Sequence, residues 1–393
     1  MLEVQKFYLD SLYEGGIPKV KEVFKARGVD IRDYPQHSMM LLDYNMFEAS
    51  KSDIIASQCR GTIIGYNGDI ICKPFTRFFN LGENSVSDFD VTKYQIFEKM
   101  DGSLVKIYFC PSTNKWEIGT RGTAFAEGPH DHFGTFREGI LCAMGCSESE
   151  FQDMCEEELH NGSTYLFEFI SPFNSIVTPY TKTELVYLST ISNKTGSENV
   201  YKERFVNIIE NFNLNISFPT TYTFETQEEC IKAVESLTGL KEGFVAYNPF
   251  TGHRIKIKST KYVAAHRLRG NGFTANSISE VVALGEVSEV SAIFPNDAMK
   301  FVPYVAAYEK IKSIIKELYD ETKHIESQKE FAIAIKNSDY SGVLFKSRRD
   351  GISVSEALES MTLTKRVEWI RYYVEMNLLF ESLGFSLCQS WLF

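Results

Sequence analysis

Apolar positions recur with a period of two in short runs through the first 260 or so residues, then change to a spacing of three and four. Met39–Tyr44, Thr62–Tyr66, Asp69–Lys73, Tyr94–Phe97, Leu104–Phe109, Lys115–Thr120, Tyr165–Ile170, Leu185–Ile191, Phe244–Tyr247 and Arg254–Lys258 read as strands. Asn67-Gly68 is a hairpin-turn signal between two of them, and Pro249-Phe250-Thr251-Gly252 separates another pair. Helices are expected at 3–13 and 18–27, either side of Gly15-Gly16-Ile17-Pro18, twice within 130–160, and at 198–210 and 227–237. Phe75–Asn84 is an aromatic and basic loop. The mixture predicts an α+β fold of antiparallel sheets with flanking helices, not a regular βαβ repeat.

Further on, Val302, Val305, Tyr308, Ile311, Ile315 and Leu318 fall at helical spacing, as do Val367, Ile370, Val374, Leu378 and Leu379. Ser353 and Glu356 are spaced for a capping box. Strand signals nearly vanish, so a boundary is expected near 265–272. It divides a domain at 1–268 from an all-helical C-terminal domain at 269–393.

Composition narrows the class. A chain of 393 residues, 44% hydrophobic and 24% charged, is an ordinary globular protein large enough for two domains. No run approaches the ~20 apolar residues of a membrane span. Met1-Leu2-Glu3-Val4-Gln5-Lys6 lacks a secretory pattern, and eight cysteines without a CxxC pair suit reduced thiols, so a cytoplasmic location and no membrane contact are expected. Cys142, Cys146, Cys155 and His160 fit no common zinc spacing and read as buried thiols. The net charge of −11 argues against a generic polyanion binder. Residues 251–270 nevertheless hold Arg254, Lys256, Lys258, Lys261, Arg267 and Arg269 without one acid, as a local basic groove would require.

The chemistry centres on Glu98-Lys99-Met100-Asp101-Gly102-Ser103-Leu104, which reads as a tight connection between two strands. Lys99 would leave the end of the first, and Gly102 would let the backbone pass close to a ligand. Lys256 and Lys258, two apart on a strand, share a face and would repel unless an anion lies there; the plainer alternative is a solvated edge strand. Glu168, between Phe167 and Phe169, is costly in a buried strand unless paired. Glu242 falls at a strand mouth, or is a surface acid. Arg60 begins a hairpin strand and Arg121 ends a strand beside a glycine, and either suits an ordinary surface arginine. Attack by a lysine on a nucleotide's α-phosphate needs a neutral amine, cations for the phosphates, a carboxylate for ribose or metal, and an apolar slot for the base. A lysine pKa near ~10.4 must then be lowered; Asp101 would raise it, whereas Lys256, Lys258 and a bound metal would lower it.

Lys99-Met100-Asp101-Gly102-Ser103, the run Cys72–Asn84, Phe167-Glu168-Phe169-Ile170-Ser171-Pro172-Phe173-Asn174, Lys241-Glu242-Gly243-Phe244-Val245-Ala246 and Ile255-Lys256-Ile257-Lys258-Ser259 resemble, in order, the motifs of covalent nucleotidyltransferases. The Phe-Phe-Asn-Leu and Glu-Phe-Ile-Ser-Pro forms resemble the phage-type ATP-dependent RNA ligase 1 family, over roughly residues 40–265. That resemblance implies an N-terminal nucleotidyltransferase (ATP-grasp-like ligase) domain. It implies that Lys99 carries AMP from ATP, with Asp101 and Gly102 beside it. Tyr44, Arg60, Arg77 and Arg121 would surround the phosphates, Phe79 would line the site, and Glu168 would hold the ribose. Glu242 would support a metal through water, Lys256 and Lys258 would grip the α-phosphate and pyrophosphate, and Tyr262 would serve later steps. The family's best-known member has lysine where Arg77 and Arg121 stand, which keeps charge but changes geometry.

The same resemblance implies Mg²⁺, replaceable by Mn²⁺, and RNA substrates with 5′-phosphate and 3′-hydroxyl ends. It also implies repair of cleaved tRNA, with the helical domain as an RNA specificity module, a monomeric state and, for a bacteriophage gene, the host cytoplasm. The alternatives are a capping guanylyltransferase or DNA ligase, against which the lack of an OB-type run of strands after Lys258 counts, and a non-catalytic RNA-binding protein. After residue 270 there are 13 Lys and Arg against 17 Asp and Glu, a net of −4, which is no obvious RNA platform.

Overall fold

The computed structural model describes residues 1–382 other than 84, 85, 87, 175, 200 and 201. Asn84 and two residues of the helix expected at 198–210 therefore lie outside the described residues, as do the side chains of Leu378 and Leu379. The chain divides into two compact units, Met1–Ser259 and Thr260–Phe393.

In the first unit the N-terminal helix Glu3–Ala26 is interrupted at Gly15 and Gly16, the latter at φ 69°, where the sequence puts its break. Its buried Val4, Tyr8, Val20 and Phe24 pack on Met40, Leu42 and Tyr44 of the strand Met39–Tyr44. Met39 and Leu41 point the other way, onto Tyr108 and Cys110. The strand is thus buried on both faces, which is why Met39-Met40-Leu41-Leu42 reads as an unbroken apolar run before Asp43. It sits second in a four-stranded antiparallel sheet with Val29–Tyr34, Arg60–Gly65 and Ile70–Cys72. The polar first strand, Val-Asp-Ile-Arg-Asp-Tyr, carries little apolar signal and is not anticipated by the sequence pattern.

A second, six-stranded sheet contains Ser103–Cys110, Lys115–Thr120, Ser163–Ile170 and Glu184–Ser192. Val105, Ile107, Phe167, Phe169 and Tyr187 form its core against the helices Phe136–Met144, Glu148–Glu158 and Lys202–Phe212. The first two helices begin at capping boxes, Thr135 with Glu138 and Ser147 with Glu150. Cys155 joins this core, but Cys142 is exposed, contrary to its reading as a buried thiol. A third, five-stranded sheet runs Thr221–Tyr222, Gln95–Lys99, Gly243–Tyr247, Arg254–Lys258 and Phe79–Asn80. Phe244, Ala246, Ile255 and Ile257 pack with Cys230 and Val234 of the helix Gln227–Glu235.

The tight connection expected between two strands at Met100-Asp101-Gly102 is present, and it crosses from one sheet to another. The strands flanking Met100-Asp101-Gly102 do not pair: Gln95–Lys99 belongs to the five-stranded sheet and Ser103–Cys110 to the six-stranded one. Alternation in each strand is unaffected by which sheet it joins, so periodicity cannot tell a hairpin from a crossing between sheets.

Every described element of the second unit is helical. Tyr308, Ile311 and Ile315 are buried on the helix Val302–Thr322, Val302 is exposed, and the Ser353–Glu356 capping box is formed. The unit begins at Thr260, earlier than expected, because the basic run continues from the strand Arg254–Lys258 into the helix Thr260–Asn271. There Lys261 pairs with Glu286 at 2.5 Å and Arg267 with Glu280 at 2.6 Å, acids within the same unit. The run is therefore divided between a strand of the first unit and a helix of the second. No helix among the described residues is long and apolar enough to cross a membrane.

Candidate active site

The cross-strand register brings the expected residues together. Gly243 is opposite Lys99 on one side and Lys258 on the other, so the two lysines flank a residue with no side chain. Gly243 has φ 138°, and a Cβ there would lie 2.1 Å from the Ile257 carbonyl oxygen. Into this gap comes Glu242: its Oε2 accepts from Lys99 Nζ at 2.6 Å and its Oε1 pairs with Lys258 Nζ at 2.8 Å. The Glu242 side chain is 4% exposed, and those of Lys99 and Lys258 are 20% and 28% exposed. A buried bridging carboxylate replaces the surface-acid alternative.

Arg254–Lys258 alternates half-buried and buried, with both lysines on the half-buried face. Lys256 Nζ lies 4.6 Å from the Phe78 ring centroid, and the Arg60 guanidinium lies 5.8 Å from the same ring. Burial, helped by Arg60, Lys99 and Lys258, pushes the Lys256 ammonium down to about 7. Arg60 Nη1 is buried with no hydrogen-bond partner. Its guanidinium is held below the ordinary arginine value by burial and then by Arg121. An unpaired buried donor among mutually repelling cations is the environment an anion relieves.

Arg60 owes its direction to a bulge. Thr62 opposes Leu42 and Arg60 opposes Asp43, leaving Gly61 as the extra residue, at φ 79°. A Cβ on Gly61 would meet the Arg121 carbonyl oxygen at 2.4 Å, and the Gly61 carbonyl accepts from the fully buried Lys106 Nζ at 2.7 Å.

Glu168 is half-buried on the six-stranded sheet, and its Oε1 accepts from the Gly102 N–H at 3.1 Å. Burial, opposed by Lys99 and reinforced by Glu242, pushes its carboxyl up to about 7. Gly102 serves the sheet rather than only a ligand: a Cβ would stand 2.2 Å from the Phe169 carbonyl oxygen. Asp101 is buried beside the crossing. Its Oδ2 accepts from the N–H groups of Val177 and Thr178, each at 2.8 Å, fixing the crossing segment against 177–178.

Tyr44 links the two arginines that depart from the family pattern. The Arg77 and Arg121 guanidiniums lie 4.4 and 4.7 Å from its ring centroid, and Arg77 is also 5.3 Å from Phe79. Arg121 Nε donates to both oxygens of Asp43, at 3.0 and 3.1 Å. A planar guanidinium stacks on a ring better than an ammonium, which accounts for arginine at both positions. Tyr262 is buried on the first helix of the second unit.

Sequence reasoning missed Phe78, Gly61, Asp43 and Lys106. Phe78 has a signal, since it is adjacent to Phe79 in an aromatic and basic loop, and the two rings face different cations, Lys256 and Arg60 for Phe78 and Arg77 for Phe79. Gly61 sits beside Arg60 at a strand start, where a bulge glycine is common. Asp43 and Lys106 carry none. No group of three or more His, Cys, Asp or Glu poised for a metal occurs among the described residues.

With this geometry in view, comparison with known proteins is informative. The profile of the phage-type RNA ligase 1 family, described as RNA ligase, matches residues 58–262, and the chain belongs to that family. A protein of Autographa californica nuclear polyhedrosis virus, carrying the name of a bifunctional polynucleotide kinase/RNA ligase, is 32% identical over 75% of this chain and 43% of its own length. The chain thus spans under half of that relative. The RNA ligase of Rhodothermus phage RM378 is 22% identical over 79% of this chain and 85% of its own. Among solved structures, an archaeal ATP-dependent RNA ligase covers 80% of this chain and 82% of its own, at 17% identity and a TM-score of 0.45.

Proposed function

We propose that the chain is an ATP-dependent RNA ligase acting through a lysyl-AMP intermediate on Lys99. The observation that carries the reading is the meeting of Lys99 and Lys258 on the buried Glu242, with Lys256 and Arg60, whose Nη1 lacks a hydrogen-bond partner, beside them. In the ligand-free state Lys99 is held on Glu242 by the ion pair at 2.6 Å. A triphosphate at Arg60, Lys256 and Lys258 adds negative charge where cations now repel, and Lys258 shifts toward phosphate. Glu242, with both oxygens aimed into the site, suits a hard cation that keeps most of its ligands as water and phosphate oxygen. Mg²⁺ bound there would supply charge neutralisation at the phosphates.

Lys99 Nζ, having released a proton to solvent, forms a bond to the α-phosphorus as the bond to pyrophosphate breaks and pyrophosphate departs, with Lys256 and Lys258 facing the charge on the leaving group. Glu168, raised to about 7, accepts or donates a hydrogen bond to the ribose hydroxyls. An RNA 5′-phosphate oxygen then takes AMP from Lys99, and a 3′-hydroxyl displaces AMP to form the phosphodiester. Tyr262 acts in these later steps by resemblance. Cleaved tRNA is the favoured substrate on the same ground, with the helical unit as its specificity module.

A 5′-phosphorylated RNA with a 3′-hydroxyl, incubated with ATP and Mg²⁺, should yield a phosphatase-resistant sealed product. Preference for GTP, or sealing of nicked DNA but not RNA, would favour the capping or DNA-ligase alternatives. RNA binding with no sealing would favour the non-catalytic one. Removal of the helical unit should weaken sealing of cleaved tRNA more than sealing of linear RNA; equal effects would deny it a substrate role.

A further inference from the structure

A second concavity lies beside the candidate active site and shares its Arg77–Phe79 wall. Its volume is about 600 Å³, enough for a nucleotide, yet it contains none of Lys99, Glu168, Glu242, Lys256 or Lys258. Its chemistry differs from that of the phosphate site. Of the cations in its wall, Lys73 is buried and donates to the Pro74 carbonyl at 2.7 Å, Arg77 lies against the Tyr44 ring, and Arg254 is flattened between aromatic rings, 4.4 Å from the centroids of both Phe75 and Tyr247, and is ion-paired with Glu198. Those two side chains are only 10% and 9% exposed, so the pair is neutralised and the wall there is chiefly the Phe75 and Tyr247 rings with little open charge. Such a wall suits an aromatic ring rather than a phosphate.

Above it stands Phe250, 90% exposed. A large apolar side chain so exposed is commonly mobile, but this one is displayed on a locked turn. The Asn248 side-chain oxygen accepts from the N–H groups of Phe250 and Thr251 at 2.9 and 3.1 Å, and its carbonyl accepts from Gly252 at 2.9 Å. Hydroxyls of Thr76, Ser197 and Thr251 border the space and offer hydrogen bonds to a ring edge. Arg254, Lys256 and Lys258 lie on one face of a single strand, in steps of ~7 Å. That row leads from the Lys99–Glu242–Lys258 cluster directly to the concavity.

We propose that this concavity binds an unpaired base of the RNA strand close to its reacting end, with Phe250 as the stacking side chain. The assignment rests on the ligase reading for its choice of RNA. Stacking on an exposed aromatic is sequence-tolerant, so the pocket would favour single-stranded ends over duplex without selecting one base.

The test uses the full chain and a 5′-phosphorylated, unstructured RNA carrying 2-aminopurine near its end. Phe250→Ala is expected to weaken RNA affinity about 5- to 100-fold, the range for loss of one stacked base, and to abolish the 2-aminopurine quench. Phe250→Trp should restore both. Self-labelling by ATP and the melting temperature should not change, because Phe250 touches neither the lysines nor the core. Unchanged RNA affinity and quench in Phe250→Ala would overturn the assignment while leaving the ligase reading intact. Absence of ATP labelling in the wild-type chain would defeat the ligase reading, and the RNA titration would still decide the pocket.

Discussion

Replacing Glu242 by glutamine keeps the shape of the side chain and removes the carboxylate charge that pairs with both Lys99 and Lys258. Removing one partner of a fully buried ion pair costs about 3–5 kcal/mol, whereas an exposed pair is worth about 0–1 kcal/mol. Here the carboxylate is 4% exposed and the lysines 20% and 28%, so the cost falls between these limits. Losing two contacts at 2.6 and 2.8 Å, and leaving Lys99, Lys256 and Lys258 to repel, gives about 2–4 kcal/mol. For a unit of this size about 1 kcal/mol moves Tm by about 2–4 °C, so Glu242→Gln should melt roughly 5–15 °C below wild type. Scanning calorimetry without ligand measures this. Millimolar pyrophosphate should restore more stability to the variant than to wild type, because the cations it would engage have lost their internal anion. A double-mutant cycle with Lys258→Met should give a coupling of about 0.5–3 kcal/mol. A Glu242→Gln melting temperature within about 2 °C of wild type, insensitive to pyrophosphate, would refute the view that this carboxylate holds the resting site together.

The crossing between sheets gives a second prediction. Gly102→Ala places a Cβ 2.2 Å from the Phe169 carbonyl oxygen and should cost about 1–3 kcal/mol, with a greater fall in adenylation than in folded population; Gly122→Ala, with nothing within 4 Å, is the control and should match wild type in both. The pH dependence has a definite shape. Glu168 titrates in the folded state near 7, above its ordinary value of 4.5, so its contribution falls as pH rises from about 4.5 to 7. Lys256, depressed from 10.5 to about 7, contributes an increase as pH rises from about 7 to 10. Together they place a minimum in ligand-free stability near pH 7, to be read from denaturant midpoints against pH; Lys256→Met should remove its alkaline side. Pyrophosphate binding at pH 8 should take up protons as Lys256 recharges, seen by calorimetry as a binding heat that depends on buffer ionisation enthalpy. A buffer-independent heat would contradict this.

Much of the site was legible because its chemistry is written in short local strings. Lys256 and Lys258 share a face because strand geometry has a period of two, and Glu242 precedes the glycine that makes room for it. Tyr44, Arg60, Arg77 and Arg121 belong to that pattern, and the structure brings Arg77 and Arg121 against the Tyr44 ring and Arg60 against Phe78. What was hidden depends on which segments meet. Nothing in Gln95–Lys99 and Ser103–Cys110 says that they enter different sheets. Asp43 lies in an apolar run with no sign that it will hold Arg121, and Lys106 gives no hint that it is buried on the Gly61 carbonyl. The charged strand Val29–Tyr34 is held by its pairing with Met39–Tyr44 rather than by its own pattern. The basic run 251–270 was misleading for the same reason, because its neutralising acids, Glu198, Glu280 and Glu286, are remote in sequence.

The claim on which all of this rests is that Lys99 is the nucleophile. Incubation with ATP labelled at the α-phosphate and Mg²⁺, followed by peptide mapping, measures it directly. The account predicts one AMP per chain on the peptide containing Lys99, released by added pyrophosphate and absent from Lys99→Ala. Label that persists in Lys99→Ala, or that maps to another peptide, would contradict it.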